Sequence, residues 1–277
     1  MPSGIEALAQ LDLLPLAGAV PQLPLNGWSF WLERQPLFQV EEPMASDHPC
    51  TLVEPAALLH GWADQLRQLP SARLVLGRSV AGLLPADDGG TGGRITGVRF
   101  SDGERLEADL VVACDGRASM ARRCAGLELA ESPGMIDVLW FRLSGPAGEA
   151  LAAQLAGRFH TVIGDEGSLA LFASAAGGVQ LGWPLQSGER LERSTRQWRE
   201  LWLRLCPQEM AQAVASVPLE AIEGPMRLPV RVGLARRWWR PGLLLLGDAA
   251  HPMSPLRAQG TAMALRDVVV AAALLLL

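Results

Sequence analysis

The chain has 277 residues, 49% hydrophobic and 19% charged. That is the composition of a globular protein with a sizeable core, not of a disordered segment. A net charge of −5 argues against a nucleic-acid footprint, which needs a basic surplus. All 24 basic residues are arginine, and lysine and tyrosine are absent, which excludes a lysine Schiff base, a P-loop lysine and a phenolic acid or base.

In chain order, apolar residues at Ile5, Leu8, Leu11 and Leu14 predict a short helix, after which Pro15, Pro21 and Pro24 break regularity. Trp28 to Val40 reads as extended. Pro55 suits the first turn of a helix whose apolar face carries Leu58, Leu59, Trp62, Leu66 and Leu69, and Pro70 stops it. Strands are predicted at Arg73 to Leu76 and Ser79 to Leu84, with a hairpin loop at Asp87 to Gly93 and a returning strand at Ile95 to Phe100. Asp109 to Cys114, with β-branched Val111 and Val112, reads as a buried strand. The middle of the chain predicts an antiparallel meander from Ile136 to Leu143, Thr161 to Gly164, Ser168 to Ala173 and Val179 to Leu185, with a helix near Glu149 to Gly157. Ser187 to Leu205 reads as an amphipathic helix, followed by a second over Pro207 to Val214. Leu243 to Leu246 is an apolar strand followed by Gly247-Asp248, a loop with Pro252 and Pro255, and an alanine- and leucine-rich helix from about Thr261.

The cysteines Cys50, Cys114, Cys124 and Cys206 show no CxxC spacing, so zinc and thioredoxin readings fail and reduced thiols in a cytoplasmic protein are expected. Met1 to Glu6 lacks the regions of a signal peptide. The apolar tail Val268 to Leu277 is far shorter than the ~20 residues of a spanning helix, so no membrane span is expected.

Two corners carry candidate chemistry. In the first, a buried strand ending in Gly247-Asp248 puts a carboxylate at the carboxyl edge of a sheet, where open α/β sheets bind ligands. Gly247 lets a ligand approach closely, and an acceptor-only carboxylate suits a run of hydroxyls; an ordinary aspartate capping a turn fits the same residues. Gly260 opens the last helix, whose first N–H groups favour negative charge, or it merely ends a loop. In the second corner, Asp115-Gly116-Arg117-Ala118-Ser119-Met120-Ala121-Arg122 comes after a strand. Ser119 is placed to cap a helix, and Arg122 either reaches a phosphate or carboxylate or is solvated. His251 reads as a packed loop histidine. Trp140, Trp183, Trp198 and Trp202 read as core, and Trp238-Trp239 as an edge leading into the Leu243 strand.

The Asp115-Gly116-x-x-Ser119-x-x-Arg122 run resembles the second fingerprint of the para-hydroxybenzoate hydroxylase-like FAD monooxygenases. Gly247 to Pro255 with Gly260 to Asp267 resembles their third. Both occur in the family's order with a β-rich insert between them. The resemblance implies a mixed α/β fold, with an incomplete Rossmann-like FAD-binding layer (residues 1–21, 51–130 and 230–277) and a β-sheet substrate domain (22–50 and 131–229). It implies FAD as cofactor, NAD(P)H as co-substrate, and hydroxylation of a small aromatic substrate through a flavin C4a-hydroperoxide. Asp248, after Gly247, would contact the ribityl hydroxyls, and Pro255 and the Gly260, Thr261 and Ala262 backbone would flank the isoalloxazine ring. Asp115 and Gly116 would support FAD and the nicotinamide cofactor, Arg122 would belong to the same cofactor set, and Val80 would lie near the adenine. The cofactor carries the hard chemistry, so the motifs demand no catalytic side chain.

The chain also departs from the family. It contains no G-x-G-x-x-G turn, the loop that holds the pyrophosphate on a helix N-terminus. The residues from Pro2 to Leu8 resemble the family segment on the C-terminal side of that turn, so the expectation is a member lacking its front end. Arg257 stands where relatives commonly have glycine, Ala262 where they have asparagine, and Glu54 where many have an arginine. The rival expectation is a non-catalytic remnant of the fold that binds FAD weakly or not at all. The W-x-W-x-I-P pattern of flavin halogenases is absent, which sets that option aside.

Overall fold

A computed structural model describes residues 1–42, 48–86, 93–132, 136–255 and 258–275. The chain begins with α1 (Pro2–Gln10), α2 (Leu14–Gly18), β1 (Gln22–Pro24), β2 (Gly27–Leu32), β3 (Gln35–Glu41), β4 (Thr51–Val53) and α3 (Pro55–Gln68). It continues with β5 (Val80–Pro85), β6 (Ile95–Phe100), β7 (Arg105–Glu107), β8 (Val111–Ala113), α4 (Met120–Cys124) and β9 (Leu129–Glu131). Then come β10 (Ile136–Leu143), α5 (Gly145–Gln154), β11 (Arg158–Gly164), β12 (Gly167–Ala173), β13 (Val179–Gln186), α6 (Thr195–Leu205) and α7 (Gln208–Ser216). The last elements are β14 (Ile222–Pro229), β15 (Gly233–Ala235), β16 (Trp239–Arg240), β17 (Leu243–Leu245) and α8 (Gly260–Leu275). Two compact units result. Met1–Pro2, Leu13–Trp62 and Ile136–Val230 form the first, and Ser3–Asp12, Ala63–Met135 and Arg231–Leu277 the second.

The first unit is built on a seven-stranded sheet in the order β14-β10-β13-β12-β11-β2-β3. Every pairing is antiparallel except β11 with β2. Alternate residues of β10, β12 and β13 (Leu139, Phe141, Leu143, Leu169, Leu171, Leu181, Trp183) are buried in one apolar core with α5, α6 and α7. Helix α6 gives that core Trp198, Leu201, Trp202 and Leu205. The predicted helix from Ser187 is shorter because Ser194 ends the preceding turn: its hydroxyl accepts from Gln197 N while Gln197 Oε1 accepts from Ser194 N, a capping box. Phe141 meets Trp198 and Trp202 edge-on at 5.2 and 4.9 Å. The β2–β3 hairpin turns on Glu33 and Arg34, both at positive φ (47° and 67°), so it carries none of the Asn-Gly signal that announces such turns. Strand β14 is absent from the elements the sequence predicts; it is almost wholly exposed and holds Gly224, Pro225 and Pro229, so neither alternation nor propensity marks it.

In the second unit β17 is flanked by β16, antiparallel, and β8, parallel. A meander β5-β6-β7 and the pair β9–β15 complete its sheets. Its core is made of small and aliphatic residues: Ile95, Ala113, Ala121, Ala125, Leu243, Leu245, Ala249 and Ala250. Among the described residues β8 is hydrogen-bonded on one side only, and Val112 is 44% exposed. The predicted strand Arg73 to Leu76 is not one: no described strand pairs with it, and Val75 and Leu76 are exposed. Residues 87–92 of the predicted hairpin loop lie outside the described residues, but the strands it joins, β5 and β6, do pair antiparallel. The predicted N-terminal helix is split: α1 ends at Gln10, Asp12 adopts positive φ (56°), and α2 comes next with Pro15 in its first turn. Helix α3 forms as predicted, but of its apolar stripe Leu58 is buried while Leu59 and Leu69 are exposed.

His160 of the first unit accepts from Trp31 Nε1 at Nδ1 (3.1 Å), and its Nε2 lies 3.1 Å from Leu155 O. Burial holds the imidazole below its ordinary value of 6.5; the bond to Leu155 opposes this and the Arg158 charge reinforces it. The group therefore favours the folded state fully above the ordinary value, and that contribution is lost as pH falls below it. His160→Gln retains a donor and an acceptor, and it is expected to flatten the loss of stability that sets in as pH falls below about 6.5 in urea titrations. Trp198→Ala, at a fully buried position, is expected to cost about 3–5 kcal/mol in the same measurement.

Candidate functional site

The parallel register Leu243↔Val111, Leu244↔Val112, Leu245↔Ala113, continued by Leu246 N donating to Ala113 O (3.0 Å), ends both strands at the same level. The two corners singled out in the sequence, Gly247-Asp248 and Asp115-Gly116, therefore leave neighbouring strands side by side, at the carboxyl edge where such sheets bind ligands.

At the first corner Gly247 has φ of +59°, and a Cβ there would lie 3.2 Å from the Ala264 methyl of α8; both facts demand glycine. Residues 247–249 form a single 3₁₀ turn closed by Ala250 N and His251 N donating to Gly247 O (both 2.9 Å). Asp267 Oδ2, two turns into α8, accepts from Gly247 N at 2.8 Å and from His251 Nε2 at 2.6 Å. Asp248 is partly buried, and no described residue hydrogen-bonds its carboxylate. It does not cap the turn.

At the second corner the Asp115 carboxylate accepts from Ser119 Oγ (2.5 Å) and Ala121 N (2.9 Å). Ser119 Oγ in turn accepts from Arg122 N (2.9 Å). Asp115 and Ser119 thus jointly cap α4, as expected of Ser119. Gly116 sits at φ of +76°, in the left-handed region. Arg122 is neither solvated nor turned to an acidic group. It is 4% exposed, and it donates to Ala249 O (2.6 Å) and Arg117 O (3.2 Å), tying this corner to the turn that bears Asp248. Burial draws its guanidinium below the ordinary arginine value. Between the strands and this corner, Cys114 is a surface residue whose thiol is partly shielded from water, and it is pushed up first by that shielding and then by the charges of Asp115 and Asp267.

Helix α8 starts at Gly260 with Thr261 exposed. Ala262 is 4% exposed, and its methyl and Cα lie 3.1 and 3.2 Å from where a Cβ on Gly4 of α1 would stand. Pro255 is exposed, and its carbonyl accepts from Ala258 N (2.9 Å). Arg257 lies outside the described residues. Glu54 accepts from Ala56 N (3.2 Å) and from Ala57 N, and so caps α3. Val80 opens β5 opposite Phe100, in a different sheet from β8 and β17, and is 40% exposed.

The first unit presents a second feature. Trp140 is not in the core beside Phe141 but projects to the opposite side of β10. There Trp28 and Phe159 have ring centres 4.9 Å apart, Phe159 and Phe172 stack at 5.0 Å, and Trp140 meets Phe172 edge-on at 5.8 Å. Trp140 Nε1 donates to Gln180 Oε1. The result is a row of partly buried rings running across β2, β11, β12 and β10.

Residues 57–277 match the family described as FAD binding domain. The chain is 34% identical over 222 residues to 6-methylpretetramide 4-monooxygenase of Streptomyces rimosus, a match covering 77% of this chain and 49% of that protein. It is 33% identical over 212 residues to the aurachin C monooxygenase/isomerase of Stigmatella aurantiaca, covering 72% and 49%. The chain therefore belongs to the FAD-dependent monooxygenases of the aromatic hydroxylase type, and it spans about half the length of these relatives. Among solved structures it superposes on Pseudomonas aeruginosa PqsL in complex with 2-aminobenzoylacetate (TM-score 0.76, 19% identity, 98% of this chain and 72% of that one). It also superposes on Klebsiella pneumoniae HpxO complexed with FAD and uric acid (TM-score 0.72, 21% identity, 98% and 68%). The mixed α/β fold is that of these flavoproteins. Among the described residues no helix is long and apolar enough to cross a membrane.

Ser119→Ala removes one cap of α4 and is expected to cost about 1–2 kcal/mol in denaturant unfolding. Because Asp115 and Ser119 share one network, Asp115→Ala combined with it is expected to cost less than the sum of the two.

Proposed function

We propose that the second unit binds FAD and the first takes a small aromatic substrate, in an NAD(P)H- and dioxygen-dependent hydroxylation. One observation carries the FAD part: the Asp248 carboxylate stands without a protein partner among the described residues at the carboxyl edge of two parallel strands, on a turn otherwise held by hydrogen bonds at Gly247, Ala249 and His251. An acceptor-only group so placed fits the hydroxyls of a ribityl chain. The first N–H groups of α8, at Gly260, Thr261 and Ala262, favour negative charge, as on the pyrimidine edge of a reduced flavin, and exposed Pro255 is available to flank the ring. FAD, when bound, supplies the redox chemistry.

Asp115 and Gly116 act through the shape of their loop, since both Asp115 oxygens are engaged. Arg122 serves by holding Ala249. The assignment of Val80 to the adenine end, and of Asp115 and Gly116 to the nicotinamide cofactor, rests on the family likeness. The ring row Trp28–Phe159–Phe172–Trp140 supports the aromatic reading of the substrate, because flat apolar faces with a nearby amide suit a planar ring with one polar substituent.

Titration of the purified protein with FAD is expected to quench flavin fluorescence and shift its absorption band. Asp248→Ala is expected to weaken binding by about tenfold or more, the scale of hydrogen bonds to a charged group. A protein that takes up no added FAD overturns the proposal, and unchanged affinity in Asp248→Ala removes the ribityl assignment.

A further inference from the structure

We infer that Asp267 and His251 form a buried clamp that sets the direction of Asp248, and are positioning residues for FAD. The inference rests on the reading of Asp248 given above.

A single oxygen, Asp267 Oδ2, accepts from the residue before Asp248 and from the residue three places after it (Gly247 N, 2.8 Å; His251 Nε2, 2.6 Å). The turn carrying Asp248 is thus gripped at both ends by one side chain of α8. The grip is dry: the side chains of His251 and Asp267 are 9% and 10% exposed. A carboxylate only accepts, so Nε2 of His251 is the donor. The other ring nitrogen, Nδ1, is buried without a hydrogen-bond partner among the described residues, and the ring packs against Trp238 with centres 5.0 Å apart. A histidine that carried protons to a substrate would need an open nitrogen; this one has one nitrogen bound to Asp267 and the other sealed. Its chemistry is spent on geometry.

From the third side Arg122 donates to Ala249 O (2.6 Å). The residues flanking Asp248 in the turn are therefore held by hydrogen bonds, while the Asp248 carboxylate bonds to no described residue. The backbone decides where its carboxylate points, and Asp267 decides the backbone. The Gly247 φ of +59° strengthens the dependence, because a left-handed residue next to Asp248 is held in place by the N–H that Asp267 accepts.

The test is a double-mutant cycle on FAD affinity, read by flavin fluorescence, with circular dichroism of the FAD-free protein as the control for folding. Asp267→Leu keeps the side-chain size but removes the one oxygen that both donors share. It is expected to weaken FAD binding about tenfold in the otherwise unchanged protein and to have little effect in the Asp248→Ala background, because residues acting through one contact are non-additive. His251→Phe keeps the packing on Trp238 and removes only the donor. It is expected to show the same pattern with a smaller effect, and it carries the test if Asp267→Leu does not fold. Equal weakening in both backgrounds overturns the clamp while leaving the FAD reading intact. No effect of Asp248→Ala itself overturns the reading of Asp248, and the clamp with it.

Discussion

The parallel pairing of β8 with β17 is the constraint on which the rest of the site depends. More than a hundred residues of chain separate these strands, and each is only three residues long. Their register fixes how far each corner projects, and so brings Asp115 and Asp248 to one edge. Short strands hold register poorly by themselves, since a slip of one residue would reverse every side chain. Here the register is defended from outside the ladder. Arg122 reaches from the β8 corner to the carbonyl of Ala249, and Asp267 reaches from α8 to the amide of Gly247. The apolar core of Ala113, Leu243, Leu245 and Ala249 fills the space beneath.

This arrangement divides labour between charged groups in a way their types do not announce. Of the ionisable residues at the two corners, Asp115, Arg122, His251 and Asp267 are all bonded within the protein. They use charge and directionality to hold backbone where small residues provide little side-chain packing. Asp248 differs: no described residue hydrogen-bonds its carboxylate. A buried arginine bonded to carbonyls is costly unless its donors are met, which makes Arg122 sensitive to any shift in Ala249. The shape of the two corners thus comes from charged groups bonded to backbone and to one another.

How much of this is legible in the sequence depends on how local the signal is. The strand-then-turn pattern at Ala113-Cys114-Asp115-Gly116 and Leu246-Gly247-Asp248, the capping by Ser119 and the helix after Gly260 are all readable, because each is decided within about four residues. The partners of Arg122 and His251 are not: Ala249 lies 127 residues from Arg122 and Asp267 lies 16 from His251, and no periodicity encodes such a meeting. Arg73 to Leu76 shows the converse. Its composition is that of a strand, but a strand is a pairing, and no described neighbour offers one. Hydrophobicity alone assigns Trp140 to the core; period-2 alternation with buried Leu139 and Phe141 sends it to the other face, and there it joins the ring row.

The distribution of tryptophan has an optical consequence. Of the nine in the chain, only Trp238 and Trp239 belong to the second unit, and tyrosine is absent. Intrinsic emission therefore reports mostly on the first unit, where Trp198 and Trp202 are sealed against Phe141. Trp238, packed on the His251 ring, is the indole that watches the Asp248 turn. Loosening of that turn would register as a faint change on a bright background, and a single-wavelength melt would record mainly the first unit.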